Sequence, residues 1–126
     1  MKILLTGGSG FLGKNIVYHF RNIEKHDIIP VGSKVYDIRD SYACKKLLEY
    51  YDPDVIVHAA GSVGGIQVNK ENPGKFMYDN LAMGMNMIEN TRRYEIKKQK
   101  DVKFIMLGTV CSYPKFSPVP FKEEDI

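Results

Sequence analysis

The chain has 126 residues, 44% hydrophobic and 26% charged, enough for one domain with a packed core and ordinary for a globular protein. Its net charge of +3 is too small to argue for a nucleic-acid partner, and no apolar run approaches the roughly 20 residues that cross a bilayer. Cys44 and Cys111 form neither a disulfide framework nor a metal cluster, and the N-terminus lacks a charged-then-apolar secretory pattern, so a cytoplasmic chain without a metal is expected.

Residues 2–6 read as a first strand and 11–24 as a first helix, with Phe11, Ile16, Val17, Phe20 and Ile23 near helical spacing. Residues 28–32 read as a second strand, weakened by Pro30. Asp40 or Ser41 can cap a helix to about Tyr51, with Ala43, Leu47 and Leu48 inward, and Asp52-Pro53 ends it. Val55-Ile56-Val57 is a short continuous apolar run, as in a strand covered on both faces. Residues 59–71, rich in small side chains, read as a loop. Asn72 as cap and Pro73 at the first position start a helix to about Lys98, and Met77, Leu81, Met85 and Ile88 recur on one face expected to pack inward. The cations Arg92, Arg93, Lys97, Lys98, Lys100 and Lys103 gather near its end, where they complement the helix dipole. Residues 102–107 read as a fourth strand, and from Gly108 onward there is no periodicity.

Alternating strands and helices predict an α/β chain, a Rossmann-like doubly wound parallel sheet of about four strands, as one domain across 1–126. Ligands of such sheets bind at the carboxyl ends of the strands. Directly after the first strand stands Gly7-Gly8-Ser9-Gly10-Phe11-Leu12-Gly13, with the spacing Gly7-x-x-Gly10-x-x-Gly13. Such glycines permit a tight turn, a close approach of a pyrophosphate and close helix–strand packing, and the helix N-terminus behind them favours anions. After the second strand, Ser33 and Lys34 stand where an acid would hold a ribose, and a hydroxyl with an ammonium favours NADP(H) over NAD. Asp37-Ile38 is placed to meet the adenine, the carboxylate accepting from its amino group. At the end of the fourth strand Thr109 can hydrogen-bond a carbonyl and Cys111 can transfer a proton, although spacing alone favours a strand end and a small apolar thiol. His58 reads as structural, satisfied by a backbone carbonyl.

Gly7-x-x-Gly10-x-x-Gly13, Asp37-Ile38-x-Asp40 and His58-Ala59-Ala60-Gly61, in that order, resemble the extended short-chain dehydrogenase/reductase family. Two further stretches look like its GDP-L-fucose synthase branch: Val63-Gly64-Gly65-Ile66 with Asn72-Pro73 and Tyr78-Asp79-Asn80, and Leu107 through Lys115, where Cys111 precedes Tyr113-Pro114. The resemblance implies an NADPH-dependent epimerase/reductase acting on GDP-4-keto-6-deoxymannose, by proton transfers at C3 and C5 and hydride reduction at C4. It makes Thr109 the hydroxyl that polarises the ketone, Cys111 the epimerisation acid/base and Asn80 a structural or proton-relay residue near the nicotinamide. Ala59, Ala60, Gly61, Leu107 and Gly108 would line the cofactor. The family's catalytic Tyr-x-x-x-Lys belongs beyond Ile126, as do a second acid/base histidine and the sugar domain. The chain is therefore expected to be the N-terminal part of such an enzyme, inactive alone and a homodimer when full length. Tyr42-x-x-x-Lys46 and Tyr94-x-x-x-Lys98 match the string, but the first follows the second strand and the second lies roughly 30 Å along a helix from the active edge. A GDP-heptose epimerase/reductase and a non-catalytic dinucleotide-binding module remain alternatives.

Overall fold

The computed structural model describes residues 1–20 and 26–125. Four parallel strands, β1 (Lys2–Thr6), β2 (Asp27–Val31), β3 (Val55–His58) and β4 (Lys103–Met106), lie in the order β2-β1-β3-β4. Between them run α1 (Phe11–Phe20), α2 (Ser41–Tyr51), the short α3 (Ile66–Glu71) and the long α4 (Pro73–Lys98). Handedness decides which face each helix covers. The connection from β1 to β2 runs one way along the sheet, and those from β2 to β3 and from β3 to β4 run the other way. Right-handed crossovers therefore put α1 on one face and α2 with α4 on the opposite face.

The core lies under α2 and α4. Register aligns Ile29, Leu4, Ile56 and Phe104 in one row across the sheet, and Leu47, Leu48 and Met87 pack onto it. Each such fully buried side chain contributes about 1.5–3 kcal/mol. The start of α2 is fixed by Asp40, whose carboxylate accepts from the Tyr42 N–H at 3.0 Å, and its end by Asp52 in the left-handed region at φ 48 before Pro53. Cys44, rather than Ala43, takes the innermost position beside Leu47 and Leu48. Pro30 is accommodated because β2 is an edge strand of the described sheet and needs no donor on its outer side.

Several expectations change. The buried residue of α1 is Gly13, not an apolar side chain. Phe11 is exposed, Ile16, Val17 and Phe20 are half-buried, and Ile23 lies outside the described residues. The helix meets the Gly7–Gly8 backbone so closely that nothing larger than hydrogen fits at Gly13. On β3, Ile56 and His58 are buried but Val55 and Val57 only half so, because α1 packs over β2 and leaves that side of β3 less covered. Part of the small-residue loop winds into α3. Asn72 does not cap α4 with its side chain: its Nδ2 donates to the Val68 carbonyl at 3.3 Å and closes α3 instead.

The largest correction concerns the face of α4. Met77, Leu81, Met85 and Ile88 are 66, 50, 66 and 50% exposed. The buried arc, turned to one side of that stripe at about 100° per residue, carries Asp79, Gly84, Met87, Asn90, Thr91 and Tyr94. Polar groups can occupy it because each has a partner. Asn90 Nδ2 donates to Ser41 Oγ at 3.0 Å, Thr91 Oγ1 to the Met87 carbonyl at 2.7 Å, and Tyr94 Oη to the Asp52 carboxylate. The Tyr94 pair, near the amino end of β3, keeps that phenol away from the active edge, as expected. The basic cluster is largely consumed locally: Arg92 and Arg93 pair with Glu89, Lys97 with Glu49, and Lys100 with Asp52 and Asp54. After β4, 3-10 turns span Val110–Ser112 and Glu123–Asp125, and the rings of Tyr113 and Phe121 stack at 4.6 Å.

Candidate functional site

A cleft of about 380 Å³ opens over the carboxyl ends of β1, β2 and β3. Topology puts it there. The chain leaves β1 toward β2 while β3 lies on the other flank, so the loops part at this point and leave a crevice. No helix among the described residues is long and apolar enough to cross a membrane.

The glycine loop forms one wall. Gly7 sits at φ +71, and a Cβ on it would stand 2.6 Å from the Ala59 carbonyl oxygen. A Cβ on Gly13 would stand 2.2 Å from the Gly7 oxygen. The Gly8 N–H donates to the Val31 carbonyl at 2.9 Å and the Gly10 N–H to Gly7 at 2.9 Å, which curls the loop into a cradle at the first turn of α1. The N–H groups of that turn lack intrahelical partners, and the positive end of the helix dipole lies behind them. Bare backbone, with no Cβ in the way, suits a phosphate.

The second wall is the β2–α2 connection, where Gly32, Ser33, Tyr36, Asp37, Ile38 and Arg39 line the cleft. The third is Ala59 to Ser62, and α4 closes the rim with Lys75, Asp79 and Met83. Among the residues singled out in the sequence, Gly7, Ser9, Gly10, Ser33, Asp37, Ile38, Ala59, Ala60 and Gly61 line this cleft. Gly8 and Gly13 support it from behind. Phe11 and Leu12 are exposed at the start of α1, and Lys34 stands on an exposed turn outside the lining. Leu107, Gly108, Thr109 and Cys111 follow β4, exposed and outside the cleft.

Asn80 serves the third wall from α4. Its Oδ1 accepts from the Ser62 N–H at 2.8 Å while its Nδ2 donates to the Ser62 carbonyl at 2.9 Å and the Phe76 carbonyl at 2.8 Å. The amide thus pins the Gly61-Ser62 backbone to the helix. His58 is structural, as expected, although its Nδ1 pairs with the Thr6 hydroxyl at 2.9 Å rather than with a carbonyl. Burial holds its pKa below the usual 6.5. Burial also pushes the Cys44 thiol up to about 12, and its Sγ donates to the Ile38 carbonyl at 3.2 Å, steadying that wall residue. At the end of β4 the Cys111 N–H donates to Thr109 Oγ1 at 3.3 Å, within a turn closed by the Ser112 N–H on the Thr109 carbonyl at 3.0 Å.

A charged cluster that sequence reading missed crosses the second wall. Arg39 pairs with Asp37 at 2.6 Å and with Asp79 at 3.0 Å, and Lys75 pairs with Asp79 at 2.7 Å. The Arg39 guanidinium holds the Asp37 carboxyl below its usual range. Lys75, then Arg39, do the same for Asp79. Two signals were legible: the i, i+4 spacing of Lys75 and Asp79, and an acid on the helix arc opposite the apolar stripe. The partner 40 residues away was not.

The description "NAD dependent epimerase/dehydratase family" fits residues 3–126 of this chain. The chain belongs to this family. Similar members include a GDP-L-colitose synthase from Yersinia pseudotuberculosis, 39% identical over 91% of this chain and 35% of that protein. A GDP-L-fucose synthase from Azorhizobium caulinodans is 38% identical over 99% of this chain and 38% of that protein. The solved structure of a GDP-L-fucose synthetase from Naegleria fowleri bound to NADP superposes with a TM-score of 0.82 at 32% identity, covering 98% of this chain and 38% of that one. The chain spans little more than a third of the length of the curated relatives it matches. The doubly wound parallel sheet expected from the sequence is therefore the fold of a family member.

Proposed function

We propose that residues 1–126 form a dinucleotide-binding domain that takes NADP(H), and that the domain belongs to an enzyme acting on a GDP-linked 4-keto-6-deoxy sugar by epimerisation and reduction. The observation that carries the reading is the cleft at the strand ends, lined by the backbone of a loop whose Gly7 and Gly13 have no room for a Cβ, with an acceptor, Asp37, on the wall beside it. The GDP-sugar enzymes among the relatives support the substrate class. In this reading the cradle of Gly7 to Gly13 receives the pyrophosphate, Ser33 and Lys34 meet the 2′-phosphate, and Asp37 with Ile38 meets the adenine. Ala59, Ala60, Gly61, Leu107 and Gly108 continue the path toward the nicotinamide end, and Asn80 holds it in place.

Bound NADPH supplies the hydride that reduces the C4 ketone. Thr109 donates its hydroxyl hydrogen to that ketone oxygen, and Cys111 holds and moves the proton at its Sγ during epimerisation. The catalytic Tyr-x-x-x-Lys is expected in a longer protein, and with it a homodimer, a reading supported by the exposed apolar residues of α4.

Fluorescence titration with NADPH tests the cofactor reading. The wild-type chain is expected to bind, and Gly10→Glu is expected to abolish binding by placing bulk and negative charge in the cradle. Unchanged affinity in a folded Gly10→Glu variant, or no binding by the wild type, would sink it. Lys34→Glu is expected to weaken NADPH far more than NADH, and equal losses would remove Lys34 from the 2′-phosphate.

A further inference from the structure

We infer that Arg39, gripped by Asp79 of α4, is a positioning residue that aims the Asp37 carboxylate at the base of a bound adenine dinucleotide. The inference rests on the cofactor reading above. Arg39 Nε lies 2.9 and 3.2 Å from the two Asp37 oxygens, Nη2 lies 2.6 Å from Oδ2, and the Arg39 backbone N–H donates to Oδ1 at 3.1 Å. Three hydrogens therefore occupy a carboxylate that offers about four acceptor sites. One site is left for a donor such as an exocyclic amino group.

The other edge of the guanidinium is held by the helix. Nη1 donates to Asp79 Oδ1 at 3.0 Å, and the Asp79 side chain is only 6% exposed. Lys75 Nζ takes the second Asp79 oxygen at 2.7 Å. Asn86 Nδ2, also on α4, donates to the Arg39 carbonyl at 2.7 Å, so the residue is tethered through side chain and backbone alike. Asp37, Arg39, Lys75 and Asp79 all line the cleft. Two carboxylates and two cations cancel, so the cluster offers a ligand direction rather than net charge. A half-exposed carboxylate without this hold would spread over rotamers and lose that order on each binding event. Arginine suits the task because its planar fork fixes a carboxylate in two places, which an ammonium cannot do.

The test compares NADPH with reduced nicotinamide hypoxanthine dinucleotide phosphate, which carries a carbonyl in place of the amino group. Binding is followed by nicotinamide fluorescence, with folding checked by circular dichroism. The wild type is expected to prefer NADPH by about tenfold, the value of one hydrogen bond to a charged acceptor. Arg39→Ala, Arg39→Lys and Asp79→Asn are expected to bring that ratio close to one by weakening NADPH alone. A merely structural role would weaken both dinucleotides together, and a ratio that survives in the folded variants overturns the inference. If Arg39→Ala does not fold, the isosteric Asp79→Asn decides. Wild-type binding of both dinucleotides with equal affinity overturns this inference and leaves the cofactor reading standing, whereas binding of neither overturns the cofactor reading itself.

Discussion

Single atoms decide the glycine loop. A Cβ on Gly13 has no room, with the Gly7 oxygen at 2.2 Å and the Gly8 Cα at 2.7 Å, both backbone. Gly13→Ala is therefore expected to lower stability by about 1–3 kcal/mol, seen as a fall in the urea midpoint. Gly74, in the first turn of α4, has nothing within 4 Å of its would-be Cβ. Gly74→Ala is expected to leave stability unchanged or raise it by about 0.5 kcal/mol. Gly7, Gly10 and Gly13 were legible in the sequence because the motif encodes a local constraint: a strand, a tight turn and a helix start within about ten residues. The pairing of Arg39 with Asp79 was not, because it is a contact across 40 residues that no local pattern announces.

Among the elements, α4 separates apolar composition from burial. Met87→Ala is expected to cost about 2–4 kcal/mol, since the side chain is fully enclosed beneath Leu47, Leu48 and the sheet. Met85→Ser, two residues earlier, is expected to change stability in this chain by less than about 0.5 kcal/mol. Comparable losses at both sites in urea unfolding would mean that the helix is rotated from the face described. The stripe from Met77 to Ile88 reads as the core face because apolar spacing is the strongest signal a helix offers. The true core face is harder to see, being built from small or polar residues that pair off: Gly84 against Met106, Asn90 with Ser41, Tyr94 with Asp52. Where one residue type has one local job, reading comes close. The cap of α2, left between Asp40 and Ser41 by the sequence, is Asp40, and Asp40→Ala is expected to cost about 1 kcal/mol in the same assay.

For the whole molecule, one buried imidazole and a set of ion-paired or hydrogen-bonded carboxylates set the pH response. His58 titrates near 6.5 when unfolded and lower when folded, because burial disfavours the imidazolium. Below that value the unfolded chain binds the extra proton, so stability is full above it and declines as pH falls through the folded pKa. Asp37, Asp52, Asp54 and Asp79, all held below 3.8 by their cationic or phenolic partners, add a second decline at more acid pH, below about 4. A urea midpoint measured from pH 8 to pH 3 should show both steps, and His58→Gln should remove the upper one alone. The order β2-β1-β3-β4 was legible only in part: alternation implied parallel strands and crossovers, but nothing local told which strand flanks β1 on each side.

The amide of Asn80 has a kinetic consequence. With its donor and acceptor both spent on Ser62, and with Phe76 as a further partner, the third wall of the cleft is bound to α4 before any ligand arrives. A wall that needs no rearrangement imposes no waiting step, so association should be single-exponential and linear in ligand concentration in stopped-flow mixing. Asn80→Ala should then shorten the residence time of a dinucleotide while changing its capture rate little, because the loosened strand end still admits the ligand but no longer holds its shape around it.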